Sequence, residues 1–169
     1  MKNKAIFADR DGVINQVTPE KYVISWEDFH FLPGIAEAIK KLKQMDFLII
    51  LITNQFGIAK GFATLEDIEN IHNKMQEELM RQGTCFDAIY MCPDDSECRK
   101  PKLGMFKQAI EDWNIDVSKS YVIGDAVCDM IAAEKLGCKF IMVRSALSPI
   151  IVENLLEASK IIEKEGDKK

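Results

Sequence analysis

The chain has 169 residues, with 22 Lys or Arg against 27 Asp or Glu and a formal net charge of −5. At about 150 residues per domain this allows one domain, expected over 1–162, with 163–169 as a charged, frayed tail. The acidic balance speaks against a nucleic-acid binder, and the longest apolar run, Phe47–Ile52, is too short to span a membrane. The N-terminus carries no cleavage-site pattern, so a cytoplasmic protein is expected, its five cysteines free thiols rather than a disulfide framework.

Lys4–Ala8 reads as a short apolar strand that ends at an acid. Gly34–Met45 has helical spacing, with Ile35, Ala38, Ile39 and Leu42 on one face. Phe47–Ile52 is the continuous β-prone run of a strand buried on both faces. Thr64 opens a long helix as its N-cap, with Asp67 three positions on. Leu65, Ile68, Ile71, Met75 and Leu79 form its stripe, and Gly83 follows its end. Asp87–Met91 reads as a strand, Leu103–Trp113 as a helix, and Ser120–Gly124 as a fourth strand. Ala126–Leu136 is a helix stopped by Gly137, and Cys138–Val143 a fifth strand. Pro149–Ala158 looks helical, with Lys160–Glu163 either its continuation or an edge strand. Strands alternating with helices predict an α/β fold: a doubly wound, Rossmann-like, mostly parallel sheet. Such sheets bind ligands at the carboxyl ends of their strands.

Chemistry is concentrated at those ends. The first strand runs into Asp9-Arg10-Asp11-Gly12, two carboxylates spaced to share a face, with a glycine for a tight turn. By itself this is no stronger than a turn or a calcium loop. The second strand ends in Thr53-Asn54-Gln55, a hydroxyl and two amides able to bind an oxyanion, or simply a polar turn. The third strand leads to Arg99-Lys100-Pro101-Lys102, where Pro101 holds Lys100 extended. A solvated charge run is the plain alternative. The fourth ends in Gly124-Asp125, with Asp129 beyond it. This is an acidic helix start or, with Asp125, part of a site of hard oxygen ligands for Mg²⁺. Each part alone has an ordinary explanation; the ordered set makes a phosphoryl-transfer kit of nucleophile, proton shuttle, oxyanion donors, fixed cation and metal clamp.

The segments Asp9-Arg-Asp-Gly-Val-Ile-Asn15, Leu51-Ile-Thr-Asn-Gln55, Arg99-Lys-Pro-Lys-Leu-Gly-Met105 and Ile123-Gly-Asp-Ala-Val-Cys-Asp-Met130 together resemble the haloacid dehalogenase (HAD) superfamily of phosphatases. Within it, Thr53–Gly61 and the Arg99–Met105 block resemble the group of heptose-bisphosphate and histidinol-phosphate phosphatases. The resemblance implies Asp9 as nucleophile, Asp11 as general acid and base, and Thr53 and Lys100 as stabilisers of the phosphoryl group. Asn54 and Arg99 are then substrate-binding, Asp9, Asp11 and Asp125 hold Mg²⁺, and Asp129 supports that shell.

The chain departs from the group in two places. Relatives carry a Cys/His zinc loop ahead of Arg-Lys-Pro, whereas here Cys92–Cys98 offers two thiols, no His, and Asp94 where a His is expected. A closed zinc site needs four good ligands, so this loop is expected to hold without Zn²⁺. Ala126 stands where relatives have Lys or Arg, which bears on substrate choice. His30 and His72 are read as surface or packing residues, and Cys85, Cys128 and Cys138 as small core residues.

The expected function is an Mg²⁺-dependent phosphatase of a small phosphorylated sugar, heptose bisphosphate first and histidinol phosphate as the nearest rival. A polynucleotide 3′-phosphatase fits the charge less well. From another class, a receiver-like phospho-acceptor or phosphate-binding module uses similar residues. Asp11 argues against it, because a proton shuttle there speeds turnover. No nucleic-acid or membrane partner is expected, and the chain is expected to be a monomer. The stretch from Asp11 to Gly34 is the main surplus of length, enough for a flap but not for a separate cap domain.

Overall fold

Alternation along the central strands decides the architecture. In a computed structural model, which describes residues 2–17, 22–143 and 151–166, β1 (Lys4–Ala8) turns Ile6 and Ala8 to one apolar layer and Ala5 and Phe7 to the other. β2 (Phe47–Asn54) divides the same way, with Ile49 and Leu51 opposite Ile50 and Ile52. A strand with two apolar faces needs helices on both, and the chain supplies them. Helices α1 (Ile35–Gln44), α2 (Leu65–Arg81) and α5 (Leu155–Gly166) cover one face. Helices α3 (Gly104–Asp112) and α4 (Val127–Leu136) cover the other.

The remaining strands are β3 (Ala88–Cys92), β4 (Tyr121–Gly124), β5 (Lys139–Val143) and β6 (Ile151–Val152). All pairings are parallel and the order is β3-β2-β1-β4-β5-β6. The chain winds outward from β1 through β2 to β3, then returns to place β4 on the other side of β1. That reversal makes the carboxyl ends of β1 and β4 the switch point, where such sheets bind ligands. This is the expected doubly wound α/β fold, with parallel pairing throughout.

Two local signals act as read. Thr64 Oγ1 accepts from Asp67 N at 3.1 Å while Asp67 Oδ2 accepts from Thr64 N at 2.8 Å, a reciprocal cap on α2. Gly137 ends α4 in the left-handed conformation, φ 69°. Others differ. Leu65 is exposed, because the first turn of α2 precedes the part that packs on the core; the buried stripe is Ile68, Ile71, His72, Met75 and Leu79. The C-terminal helix starts later than expected: Ile151 and Val152, both β-branched, add an edge strand to β5. Asn154 then starts α5, its Oδ1 accepting from Glu157 N at 3.1 Å. Lys160–Glu163 continues that helix, and Pro149 lies outside the described residues. Residues 163–166, expected in the tail, continue α5: Glu163 pairs with Lys41 and Glu165 with Lys139, each at 2.6 Å. Residues 167–169 lie outside the described residues.

The described parts of the segment after Asp11 are packed. Val13, Ile14, Val23, Phe29 and Leu32 are buried, Leu32 N donates to Ile14 O at 2.9 Å, and Trp26 stacks on Phe29. Residues 18–21 of it lie outside the described residues. All five described α-helices belong to the two layers, so none is left to build a separate cap. Among the described residues no helix is long and apolar enough to cross a membrane.

Candidate active site

Lys100 is 3% exposed, and its ammonium has three acceptors for its three hydrogens: Asp129 Oδ1 at 2.6 Å, Asp9 Oδ1 at 2.9 Å and Ile52 O at 2.9 Å. These groups come from four separate segments. Asp9 follows β1, Ile52 lies in β2, Lys100 in the loop after β3, and Asp129 in the first turn of α4. Burial lowers the lysine's affinity for its proton, but the Asp9 and Asp129 carboxylates outweigh it, so its pKa rises above the ordinary value. The Lys100 backbone is held by the Asn54 side chain, which accepts from Lys100 N and donates to Lys100 O.

Asp9 lies beside β4, its N–H bonded to Ile123 O at 2.9 Å. Its carboxyl is pushed up to about 7, chiefly by burial and further by Asp129, with Lys100 pulling the other way. Asp125 is raised to about 6, again by burial first and Asp129 next. Asp9, Asp125 and Asp129 bring carboxylate oxygens within 4.8 Å of one another. One ammonium among three crowded acids leaves negative charge uncompensated, and hard oxygens at this spacing fit a divalent cation such as Mg²⁺. Both oxygens of Asp129 are occupied, by Lys100 and by Ala126 N at 3.3 Å. Asp9 and Asp125 are therefore the more open donors. The crowding needs two glycines: a Cβ on Gly12 (φ 83°) would collide with the Asp125 carboxylate, and one on Gly124 with Asp129.

Asp11 is held by a different set of donors. Its Oδ1 accepts from Arg10 Nε at 3.2 Å, Arg10 Nη2 at 3.0 Å and Asn15 Nδ2 at 3.0 Å. Its Oδ2 accepts from Arg10 Nη2 at 3.0 Å and Gln55 Nε2 at 2.9 Å. Gln55 Nε2 also donates to Thr53 Oγ1 at 2.8 Å, linking Asp11 to the buried hydroxyl at the end of β2. Arg10 is fully buried; its Nη2 also reaches Val23 O at 3.0 Å and its Nη1 faces His72 Nε2 at 3.5 Å. His72 is pulled down to about 3 by burial and by the Arg10 charge, against the opposing pull of Asp11.

The structure thus brings together Asp9, Asp11, Thr53, Lys100, Asp125 and Asp129. Asn54 stands beside them with its amide spent on the Lys100 backbone. Arg99 lies over the Phe56 ring at 4.0 Å and pairs with Asp95 at 3.1 Å. No motif in the sequence assigns a role to Arg10 or Asn15, and His72, expected at the surface or in packing, is buried and faces Arg10. A polar residue inside the stripe of Ile68, Ile71 and Met75 was the available signal for His72.

The cysteine expectation needs correction. Cys92 and Cys98 form a disulfide, because the turn between them returns the chain until their Cα atoms are 5.4 Å apart. Cys85, Cys128 and Cys138 are free, and of these only Cys138 is buried. Asp94 Oδ1 lies 3.9 Å from each bonded sulfur and accepts from Ser96 N. Cys92, Asp94 and Cys98 are close enough to share an ion, but zinc takes thiolates. Bonded sulfurs and one carboxylate do not fit it.

Residues 5–141 match the family described as polynucleotide kinase 3 phosphatase. The chain is 38% identical to a D-glycero-beta-D-manno-heptose-1,7-bisphosphate 7-phosphatase of Haemophilus ducreyi, over 100% of this chain and 91% of that protein. It is 42% identical to a D-glycero-alpha-D-manno-heptose-1,7-bisphosphate 7-phosphatase of Campylobacter jejuni, over 78% and 77%. A crystal structure of a D,D-heptose 1,7-bisphosphate phosphatase from B. bronchiseptica, complexed with magnesium and phosphate, superposes with a TM-score of 0.87. It is 32% identical, over 96% of this chain and 99% of that one. The chain belongs to the HAD superfamily of phosphatases, in the group of the D-glycero-D-manno-heptose 1,7-bisphosphate 7-phosphatases.

Proposed function

We propose that the chain is an Mg²⁺-dependent phosphatase that removes the 7-phosphate of D-glycero-D-manno-heptose 1,7-bisphosphate through an aspartyl-phosphate. The observation that carries this reading is the buried Lys100 ammonium at 2.9 Å from Asp9, at the switch point of the sheet. Relatives of both anomeric specificities align over most of the chain.

In this reading an Asp9 oxygen attacks phosphorus and the bond to the sugar oxygen breaks. Asp11 gives that oxygen its proton. Asp11 then takes a proton from water, which attacks the phosphoryl group and frees Asp9 and inorganic phosphate. Lys100 and the Thr53 hydroxyl balance the charge on the phosphoryl oxygens. Asn54 serves the substrate site through the Lys100 backbone, and Arg99 meets the part of the substrate that is not transferred. Asp9, the Asp11 carbonyl and Asp125 would hold Mg²⁺, with Asp129 supporting them; the cation would supply charge stabilisation for the transferring group. Zinc has no part in the reading.

Residues 1–162 act as one catalytic domain in this proposal, in a cytoplasmic monomer with no nucleic-acid or membrane partner. The charge of −5 favours a small metabolite over a polynucleotide. The test is phosphate release with and without Mg²⁺ from both heptose bisphosphate anomers, histidinol phosphate and a 3′-phosphorylated oligonucleotide. Fastest Mg²⁺-dependent release from a heptose bisphosphate is expected. Preference for histidinol phosphate or the oligonucleotide moves the substrate assignment, and no release from any monoester makes the chain a phosphate-binding module.

A further inference from the structure

Asp11 has five hydrogen-bonding contacts on two oxygens, and three of them come from Arg10. A group that protonates a leaving oxygen must carry a proton and aim it at that oxygen. A proton on either Asp11 oxygen meets N–H groups already pointed there. Asp11 must therefore exchange one of these contacts for the leaving oxygen while the others keep it aimed. Arg10 is built to stay behind. Its guanidinium is fully buried, anchored on Val23 O at 3.0 Å, and faced by His72 Nε2 from α2.

We propose that Arg10 and His72 are positioning residues for Asp11: the anchored guanidinium holds the Asp11 carboxylate in one orientation between turnovers, and His72 orients the guanidinium. The inference rests on the reading of Asp11 as acid and base. For Arg10 Nη1 to donate to Nε2, the imidazole must be neutral, with its hydrogen on Nδ1. Burial and the adjacent guanidinium favour that neutral form. A planar guanidinium can reach both carboxylate oxygens at once, which a lysine ammonium cannot do with the same geometry. Asn15 and Gln55 complete the cage from either side, and Gln55 ties it to Thr53.

The test uses the dependence of general acid catalysis on the leaving group. p-Nitrophenolate leaves without a proton, whereas a sugar alkoxide needs one. First-turnover rates of Asp9 phosphorylation are measured by rapid mixing with Mg²⁺, using p-nitrophenyl phosphate and a sugar phosphate. Arg10→Lys is expected to slow the sugar phosphate about tenfold more than the nitrophenyl ester, a share of the 10²–10⁴ that a general acid contributes. His72→Leu is expected to show a smaller slowing with the same selectivity, and His72→Gln, which keeps a neutral acceptor, to restore the rate. Thermal melting of each variant accompanies the kinetics; should Arg10→Lys not fold, the two His72 variants carry the comparison. Equal slowing of both substrates makes the roles purely structural and overturns the proposal, as does an unchanged ratio. No turnover of any monoester by the wild-type protein removes the phosphatase reading, and this proposal with it, before any variant is compared.

Discussion

Asn54 holds Lys100 by both of its backbone polar groups, accepting from Lys100 N at 2.9 Å and donating to Lys100 O at 3.1 Å. One amide at the end of β2 thereby fixes the loop after β3, whose lysine reaches back to Asp9. Two such bonds at about 1 kcal/mol each correspond to roughly a 30-fold effect. Asn54→Leu is expected to lower kcat/KM by that order. Steady-state kinetics check it, and an unchanged kcat/KM would mean that the ion pairs alone place Lys100.

Asp9→Asn is expected to abolish turnover while the protein folds. Burial raises the Asp9 carboxyl to about 7 from 3.8, so the native state binds the extra proton between those values. Asp9 therefore stabilises the metal-free protein fully below pH 3.8, and that contribution is lost as pH rises through 7. The metal-free wild type should lose stability relative to Asp9→Asn as pH increases over this window. Urea unfolding of both at pH 5 and pH 8 measures it, and a constant difference would remove the buried-acid account.

His72 works in the opposite sense. Its imidazole is lowered to about 3 from 6.5, so between those values the unfolded chain binds the proton and the native state does not. Its contribution is complete above pH 6.5 and declines as pH falls, with a slope that approaches about 1.4 kcal/mol per pH unit. His72→Gln should flatten the acid side of the stability profile. If the variant and wild type run parallel from pH 7 to pH 4, His72 is not held neutral by the fold.

The Cys92–Cys98 bond leaves three free thiols. Thiol titration of the denatured, unreduced protein is expected to find three, rising to five after reduction. Metal analysis of the purified protein is expected to find less than one zinc per chain. One tightly bound zinc together with five titratable thiols would make this loop a metal site instead.

Much of the fold is legible in local pattern. Apolar content bounds β1 at Lys4–Ala8, and Thr64 with Asp67 marks the start of α2. These signals depend only on near neighbours. The start of the C-terminal helix is not legible, because the pairing of Ile151 and Val152 depends on β5 offering an edge. Leu65 followed the helical period yet is exposed, since periodicity gives a face and not what covers it.

The residues alone give the inventory of the site and its order along the chain: two acids after β1, Thr53 at the end of β2, Lys100 after β3, Asp125 and Asp129 after β4. A parallel sheet delivers all of these to one end, so their convergence followed from the alternation of strands and helices. Which side chains serve others is a matter of packing. That Asn54 holds Lys100, and that Arg10 and His72 stand behind Asp11, depends on contacts between residues 46 and 62 positions apart. Such contacts are set by how helices and strands pack, and no local pattern of residues encodes them. The joining of Cys92 to Cys98 was decided there too, by the path of a short turn that composition does not record.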